Sequence, residues 1–231
     1  AEACAGEDGV IIMCCSCADG MGGTHGGRVA SAIAVACFQR EIQNDLRADM
    51  TADQLCHVML AAIAAANDAI RREAGRNADY RHMGTTLVCA LARPDMALIA
   101  NIGDSRAYHI TPEGIRQISR DHSVVESMVA KGDITPQEAR RHPNRNLITR
   151  ALGPDIDAKA DTFTLPWRSG EYILLCTDGL VNTVSDQEML FEVLYDGDVN
   201  GCLEHLLQIS LQRGAPDNIT AVLLLNDEER S

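Results

Sequence analysis

Four aspartates stand where apolar runs of strand length end or begin. Asp19 and Asp178 close residues 10–18 and 172–177, Asp104 follows residues 96–102, and Asp217 precedes residues 219–225. Glycine comes directly after the first two, as Gly20 and Gly179. If their strands lie side by side, Asp19 and Asp178 meet at one end of the core. Carboxylates gathered there, with little Lys or Arg beside three of them, repel one another unless a cation sits between them. Oxygen ligands suit a hard divalent ion, and Mg²⁺ or Mn²⁺ fits better than zinc because no His or Cys cluster accompanies them. A glycine after the aspartate can turn its carbonyl toward an ion at close range, which makes Gly20 a candidate backbone ligand. Asp-Gly is also a common turn dipeptide, and Asp8-Gly9 and Asp196-Gly197 read as turns only.

The elements that would position these residues follow from the patterning. Residues 10–18 form a buried strand that ends in a glycine-rich turn. Two helices follow, over about 27–44 and 52–74. The second carries Leu55, Val58, Met59, Ala62, Ile63, Ala66 and Ile70 on one face, behind a Thr51-x-x-Gln54 capping box. Short strands are expected over 86–92, 96–102, 107–110 and 114–118, with turns at Arg93-Pro94-Asp95 and Thr111-Pro112-Glu113. Residues 121–156 are polar and mostly irregular, with a short helix starting at Thr135-Pro136-x-Glu138. The strand over 172–177 leads to helices over about 186–195 and 201–213, and a last strand spans 219–225. Each half supplies strands and a helix pair, so the fold class is α+β, two packed sheets with helices on both outer faces. With no linker, repeat or low-complexity stretch, residues 1–231 are expected to form one domain.

Composition narrows the function classes. A formal net charge of −13 over 231 residues argues against nucleic acid and anionic membrane surfaces, which require clustered Lys and Arg. An acidic chain can still handle phosphate if bound cations reverse the local field. Cys14, Cys15, Cys17, Cys89 and Cys176 lie within apolar runs and read as small buried hydrophobes, so a reducing cytoplasm is the expected setting. No apolar stretch approaches the length of a bilayer span.

Seven motifs in order resemble the type 2C metal-dependent protein phosphatases of bacteria: Asp19-Gly-Met-Gly-Gly23, Gly84-Thr-Thr86, Asn101-Ile-Gly-Asp-Ser-Arg106, Asp121-His-Ser123, Ile148-Thr-Arg-Ala-Leu-Gly153, Cys176-Thr-Asp-Gly-Leu180 and Asp217-Asn-Ile-Thr220. The resemblance implies a four-layer α/β/β/α sandwich of two antiparallel sheets and hydrolysis of phosphoserine or phosphothreonine in proteins. It further implies that Asp19 bridges two Mn²⁺ or Mg²⁺ ions, that Gly20 binds one through its carbonyl, that Asp178 and Asp217 hold the other, and that Asp104 helps Asp178 hold a third. A water bridging the metals would then attack phosphorus in line. Residues 121–147 match the family's flap beside the active site, where Arg140, Arg141, His142, Arg145 and Arg150 either meet the phosphoprotein or form a solvated basic surface.

Two departures from the family pattern carry expectations of their own. The family opens with a strand bearing a phosphate-binding arginine and, soon after, an acidic pair. Glu7-Asp8 is not that pair: Asp8 lies eleven residues before Asp19, which in extended chain is more than about 30 Å. Residues 6–9 instead read as a hairpin turn, with the first strand missing, an exposed sheet edge open to a pairing partner, and reduced activity. On that ground the alternative is a catalytically weak module that binds or regulates. His25 stands one position later than the family's histidine, and is either a general acid for the leaving alkoxide or an exposed turn residue.

Overall fold

A computed structural model describes residues 2–5, 11–21, 23–195 and 199–227. Five strands form one antiparallel sheet in the order β1 (Glu2–Ala5), β2 (Ile11–Cys17), β5 (Leu87–Arg93), β6 (Met96–Ile102), β9 (Asp161–Pro166). Four form the second, in the order β11 (Ala221–Leu225), β10 (Tyr172–Cys176), β7 (Arg106–Thr111), β8 (Gly114–Gln117). A two-residue pair, β3 (Gly20–Met21) with β4 (Gly84–Thr85), sits at the end of the first sheet.

Three apolar layers hold the sandwich. β2 shows why its hydrophobes fall on both faces, Ser16 being its one polar residue: Ile12 and Cys14 face the helices α1 (Gly23–Asp45) and α2 (Ala52–Arg76), while Cys15 and Cys17 face the other sheet. β10 does the same from the opposite side. Ile173 and Leu175 enter the layer between the sheets, and Leu174 and Cys176 pack on α6 (Asp186–Tyr195) and α7 (Val199–Gln212). Strands covered on both faces need apolar residues at every position, not at alternate ones. The expected helix–sheet–sheet–helix layering is the one observed.

Asp19 and Asp178 therefore do not leave neighbouring strands of one sheet, as a side-by-side arrangement requires. Their strands face each other across the sandwich, where the Cys17 thiol donates to the Leu175 carbonyl at 3.6 Å. A strand also does precede β2, contrary to the expectation that the first one is missing. β1 pairs antiparallel with β2 from Glu2↔Cys14 to Ala5↔Ile11, and so covers part of the edge thought to be exposed. It contains no arginine. The hairpin turn assigned to residues 6–9, Asp8 with it, and the Asp196-Gly197 turn lie outside the described residues.

Local signals placed most of the helices. The Thr51 capping box is formed in full, with the Gln54 N–H donating to Thr51 Oγ1 at 3.3 Å and the Thr51 N–H to Gln54 Oε1 at 2.8 Å. α1 begins earlier than its glycine-rich start indicates, at Gly23 and not near 27. Its glycines are there for contact: a Cβ on Gly27 would stand 2.6 Å from the Gly20 carbonyl carbon, and one on Gly26 would stand 3.2 Å from Met83 Cβ. Strand β9 has no counterpart among the expected elements. Its Asp-Thr-Phe-Thr-Leu-Pro alternates half-buried or buried with exposed residues, as befits an edge strand with one covered face.

Candidate metal centre

Asp19 leaves β2 with its backbone held on both sides by the Gly84-Thr-Thr86 motif. Its carbonyl accepts from Thr86 N–H at 2.8 Å and from Thr85 Oγ1 at 2.6 Å, and its own N–H donates to Thr86 Oγ1 at 3.0 Å. Thr86 Oγ1 in turn meets Ser105 Oγ at 2.7 Å, one residue beyond Asp104. Gly20 follows immediately, so close to α1 that a Cβ would overlap the Gly27 carbonyl oxygen at 2.1 Å. That position therefore accepts only glycine.

Asp178 is held as firmly. It opens a one-turn helix, α5 (Asp178–Val181), and not the turn its Asp-Gly suggests. Thr177 ties this point to β11, donating its N–H to Thr220 O at 3.0 Å and accepting the Thr220 N–H on Oγ1 at 3.0 Å. Gly179 passes so near Asn218 that a Cβ would meet the Asn218 carbonyl oxygen at 2.2 Å, which brings Asp217 alongside Asp178.

The result is a compact carboxylate group. Asp19, Asp178 and Asp217 each present a carboxylate oxygen, and the three oxygens lie within 4.8 Å of one another. Burial, followed by the charges of Asp178 and Asp217, raises the Asp19 carboxyl from its ordinary 3.8 to about 6. Burial and Asp217 push Asp178 upward as well. Asp178 Oδ1 is buried without a hydrogen-bond partner, an arrangement that is costly unless something else meets the oxygen. Three clustered oxygen donors and one orphaned buried carboxylate oxygen fit a hard divalent cation.

Asp104 stands beside this group without belonging to it. Burial, then the charges of Asp178 and Asp121, lift its carboxyl to about 7. Its loop is fixed from below by His122, which accepts the Gly103 N–H on Nδ1 at 3.2 Å, leaving Nε2 to donate to Asp161 Oδ2 at 3.1 Å. Gly103 lies at φ +105°, where a side chain would be strained and would also strike Thr86.

The carboxylates open into a cavity of about 750 Å³ whose lining includes Asp104, Asp178 and Asp217 at one end. Two helices of the segment 121–147 line it too, α3 (Val124–Lys131) through Val125 and Val129, and α4 (Pro136–Ala139) through Pro136 and Ala139. Of the five basic residues singled out there, Arg140 and Arg145 line the cavity. Arg150 is engaged elsewhere, donating to Asp161 Oδ1 at 2.9 Å. His25 is exposed in the first turn of α1 and is not among the described residues lining the cavity.

Sequence reasoning gave no positional role to Thr85, Thr86, Thr177 or His122, although all four fall within or beside the quoted motifs. Their work is backbone clamping, which has no spacing signature of its own. Asp121 is a further case: it takes Arg106 in a paired contact, Nε at 2.9 Å from Oδ1 and Nη2 at 2.6 Å from Oδ2.

The chain is similar to known proteins over most of its length. Residues 2–223 match the family model described as protein phosphatase 2C. The chain is 34% identical over 210 residues to the serine/threonine phosphatase stp of Listeria monocytogenes, covering 91% of this chain and 83% of that protein. It superposes on the serine/threonine phosphatase Stp1 from Staphylococcus aureus with a TM-score of 0.84 at 34% identity, over 97% and 87% of the two chains. A structure of the catalytic domain of the phosphatase PstP in complex with two manganese ions is similar at TM-score 0.79 and 33% identity, over 91% of this chain and 86% of that one.

Proposed function

The chain belongs to the protein phosphatase 2C family and is a metal-dependent serine/threonine protein phosphatase, and from that premise we propose that Asp19, Asp178 and Asp217 hold its Mn²⁺ or Mg²⁺ ions, with Gly20 contributing its carbonyl and Asp104 a further carboxylate. The observation that carries the assignment is the carboxylate group within 4.8 Å, together with the buried, unpartnered Oδ1 of its member Asp178. When bound, such ions activate water and neutralise phosphoryl oxygens in an in-line displacement.

The protein's part is placement. Thr85, at the end of β4, and Thr86, just before β5, fix Asp19, while Thr177 and the close Gly179–Asn218 approach fix Asp178 and Asp217 relative to each other. Preset ligands spare the site the cost of collecting them at each turnover. Residues 121–147 form the flap over the adjoining cavity, where a phosphoserine or phosphothreonine protein segment lies with its phosphate toward the carboxylates.

A cytoplasmic setting belongs to the same reading, supported by buried thiols that serve as core residues: burial holds Cys17 up at about 12. No helix among the described residues is long and apolar enough to cross a membrane. The alternative of a module without turnover rested on a missing first strand and its arginine; β1 supplies a strand beside β2 but no arginine.

The test is hydrolysis of a phosphothreonine peptide with Mn²⁺ and then with chelator, read beside Mn²⁺ binding by calorimetry. Metal-dependent turnover together with Mn²⁺ binding that weakens in Asp217→Asn supports the assignment. Turnover indifferent to chelator would overturn it.

A further inference from the structure

Four arginines line the cavity that leads away from the carboxylates, and they fall into two kinds. Arg106 is committed to Asp121, and Arg213 to Glu188, with Nη2 at 2.5 Å from Oε1 and Nη1 at 2.9 Å from Oε2. A third lining carboxylate, Glu126, is taken by Arg120 at 3.3 Å. Arg140, at the end of α4, and Arg145, in the turn beyond it, make no side-chain hydrogen bond or ion pair among the described residues. Both are exposed.

We propose that Arg140 and Arg145 select substrates carrying a second anionic side chain, a carboxylate or another phosphate, within a few residues of the phosphoserine or phosphothreonine. The proposal rests on the phosphatase reading above and adds a sequence preference to it. A cation already paired with a neighbouring carboxylate gains little from a peptide anion, because the existing pair must first be broken. An unpaired guanidinium carries no such penalty and offers a planar fork that matches carboxylate and phosphate oxygens alike. The acidic chain makes the contrast larger. With a formal net charge of −13, its surface repels acidic peptides in general, so a local pair of open cations decides where such a peptide can lie. Asp186, on α6, lines the same cavity without an arginine partner among the described residues; it disfavours an anion near that helix and so directs one toward the flap.

The experiment uses the whole chain with Mn²⁺ and three phosphoserine peptides of one length, flanked by glutamate, by a second phosphoserine, or by glutamine. Wild type is expected to show kcat/KM about three- to ten-fold higher for both anionic peptides than for the neutral one, a margin typical of exposed ion pairs and flattened by added salt. Preference for only one of the two anionic peptides identifies the anion the site reads. Arg140→Gln with Arg145→Gln should bring the ratio to about one, and Arg140→Glu with Arg145→Glu should invert it. The melting temperature of each variant confirms folding, which exposed positions are not expected to disturb. Equal kcat/KM for all three peptides in wild type, or a proportional fall for all three in the double variants, would overturn the proposal. If the peptides bind without turnover, the same ratio is read from Kd by fluorescence anisotropy. The catalytic reading and the anion preference then stand or fall separately.

Discussion

The two ends of the cavity are built on opposite principles. At the metal end, two of the candidate ligands are anchored through backbone to distant segments of the chain: Asp19 to Thr85 and Thr86, and Asp178 through Thr177 to Thr220 at the start of β11. At the flap end, α3 has a single buried residue, Val125, and α4 has none; α4 is held by its own capping box at Thr135 and Glu138. The first design fixes oxygen positions whatever is bound. The second leaves a surface whose local opening costs little, as suits a segment that must receive different protein sequences.

The largest expected effect follows from removing a ligand at the rigid end. Asp178→Asn should lower kcat/KM by at least about 10²-fold, since even loss of groups that merely orient metal ligands costs about 10- to 100-fold in related sites. Steady-state kinetics on a phosphopeptide at saturating Mn²⁺ measures it. A fall of only a few-fold would place the ligand set elsewhere.

Next comes the clamp. Thr86→Val keeps the shape but strips the acceptor from Asp19 N–H and the partner from the buried Ser105 hydroxyl. It should weaken Mn²⁺ binding by about 10- to 100-fold and cost about 1–3 kcal/mol of stability, read by calorimetry and urea unfolding. Unchanged metal affinity would show that the clamp is only structural.

The metal end should also respond to pH in a way the flap does not. Asp19 and Asp104 have folded values of about 6 and about 7, against an ordinary 3.8. Between those values the folded, metal-free chain binds more protons than the unfolded one, so stability falls as pH rises through the window. Metal-free protein should therefore melt lower at about pH 8 than at about pH 5, with the gap narrowing in Asp104→Asn and on adding Mn²⁺. A gap of the same size in Asp104→Asn would refute the assignment to these carboxyls.

The smallest effect is expected at the flap. Thr135→Ala removes an N-cap worth about 1 kcal/mol locally, yet the melting temperature should move by less than about 2 °C, because α4 buries no side chain. A large shift would mean that the flap is coupled to the core after all.

Much of this was readable from residue order, and what was not shares a cause. Capping signals at Thr51 and Thr135 marked helix starts because they are short-range chemistry. The doubly covered strands β2, β6 and β10 stood out as mainly apolar runs, with Ser16 and Asn101 as the polar exceptions in the first two. The early start of α1 was hidden because Gly26 and Gly27 look like turn residues, and only their contacts with Met83 and Gly20 explain them. That β2 and β10 face each other, and do not adjoin, depends on partners more than 150 positions apart. The aspartates could be picked out individually, since each sits at a strand end. Their convergence could be reached only through the family resemblance, because the threonines that bring them together are unremarkable in sequence.

The central claim is that Asp19, Asp178 and Asp217 form one metal-holding unit. Calorimetric titration of Mn²⁺ into the metal-free chain, and into Asp19→Asn, Asp178→Asn and Asp217→Asn, tests it without reference to turnover. The account predicts tight binding of Mn²⁺ by wild type and a marked loss of affinity or stoichiometry in all three variants. Wild-type binding retained in any one of them would contradict it.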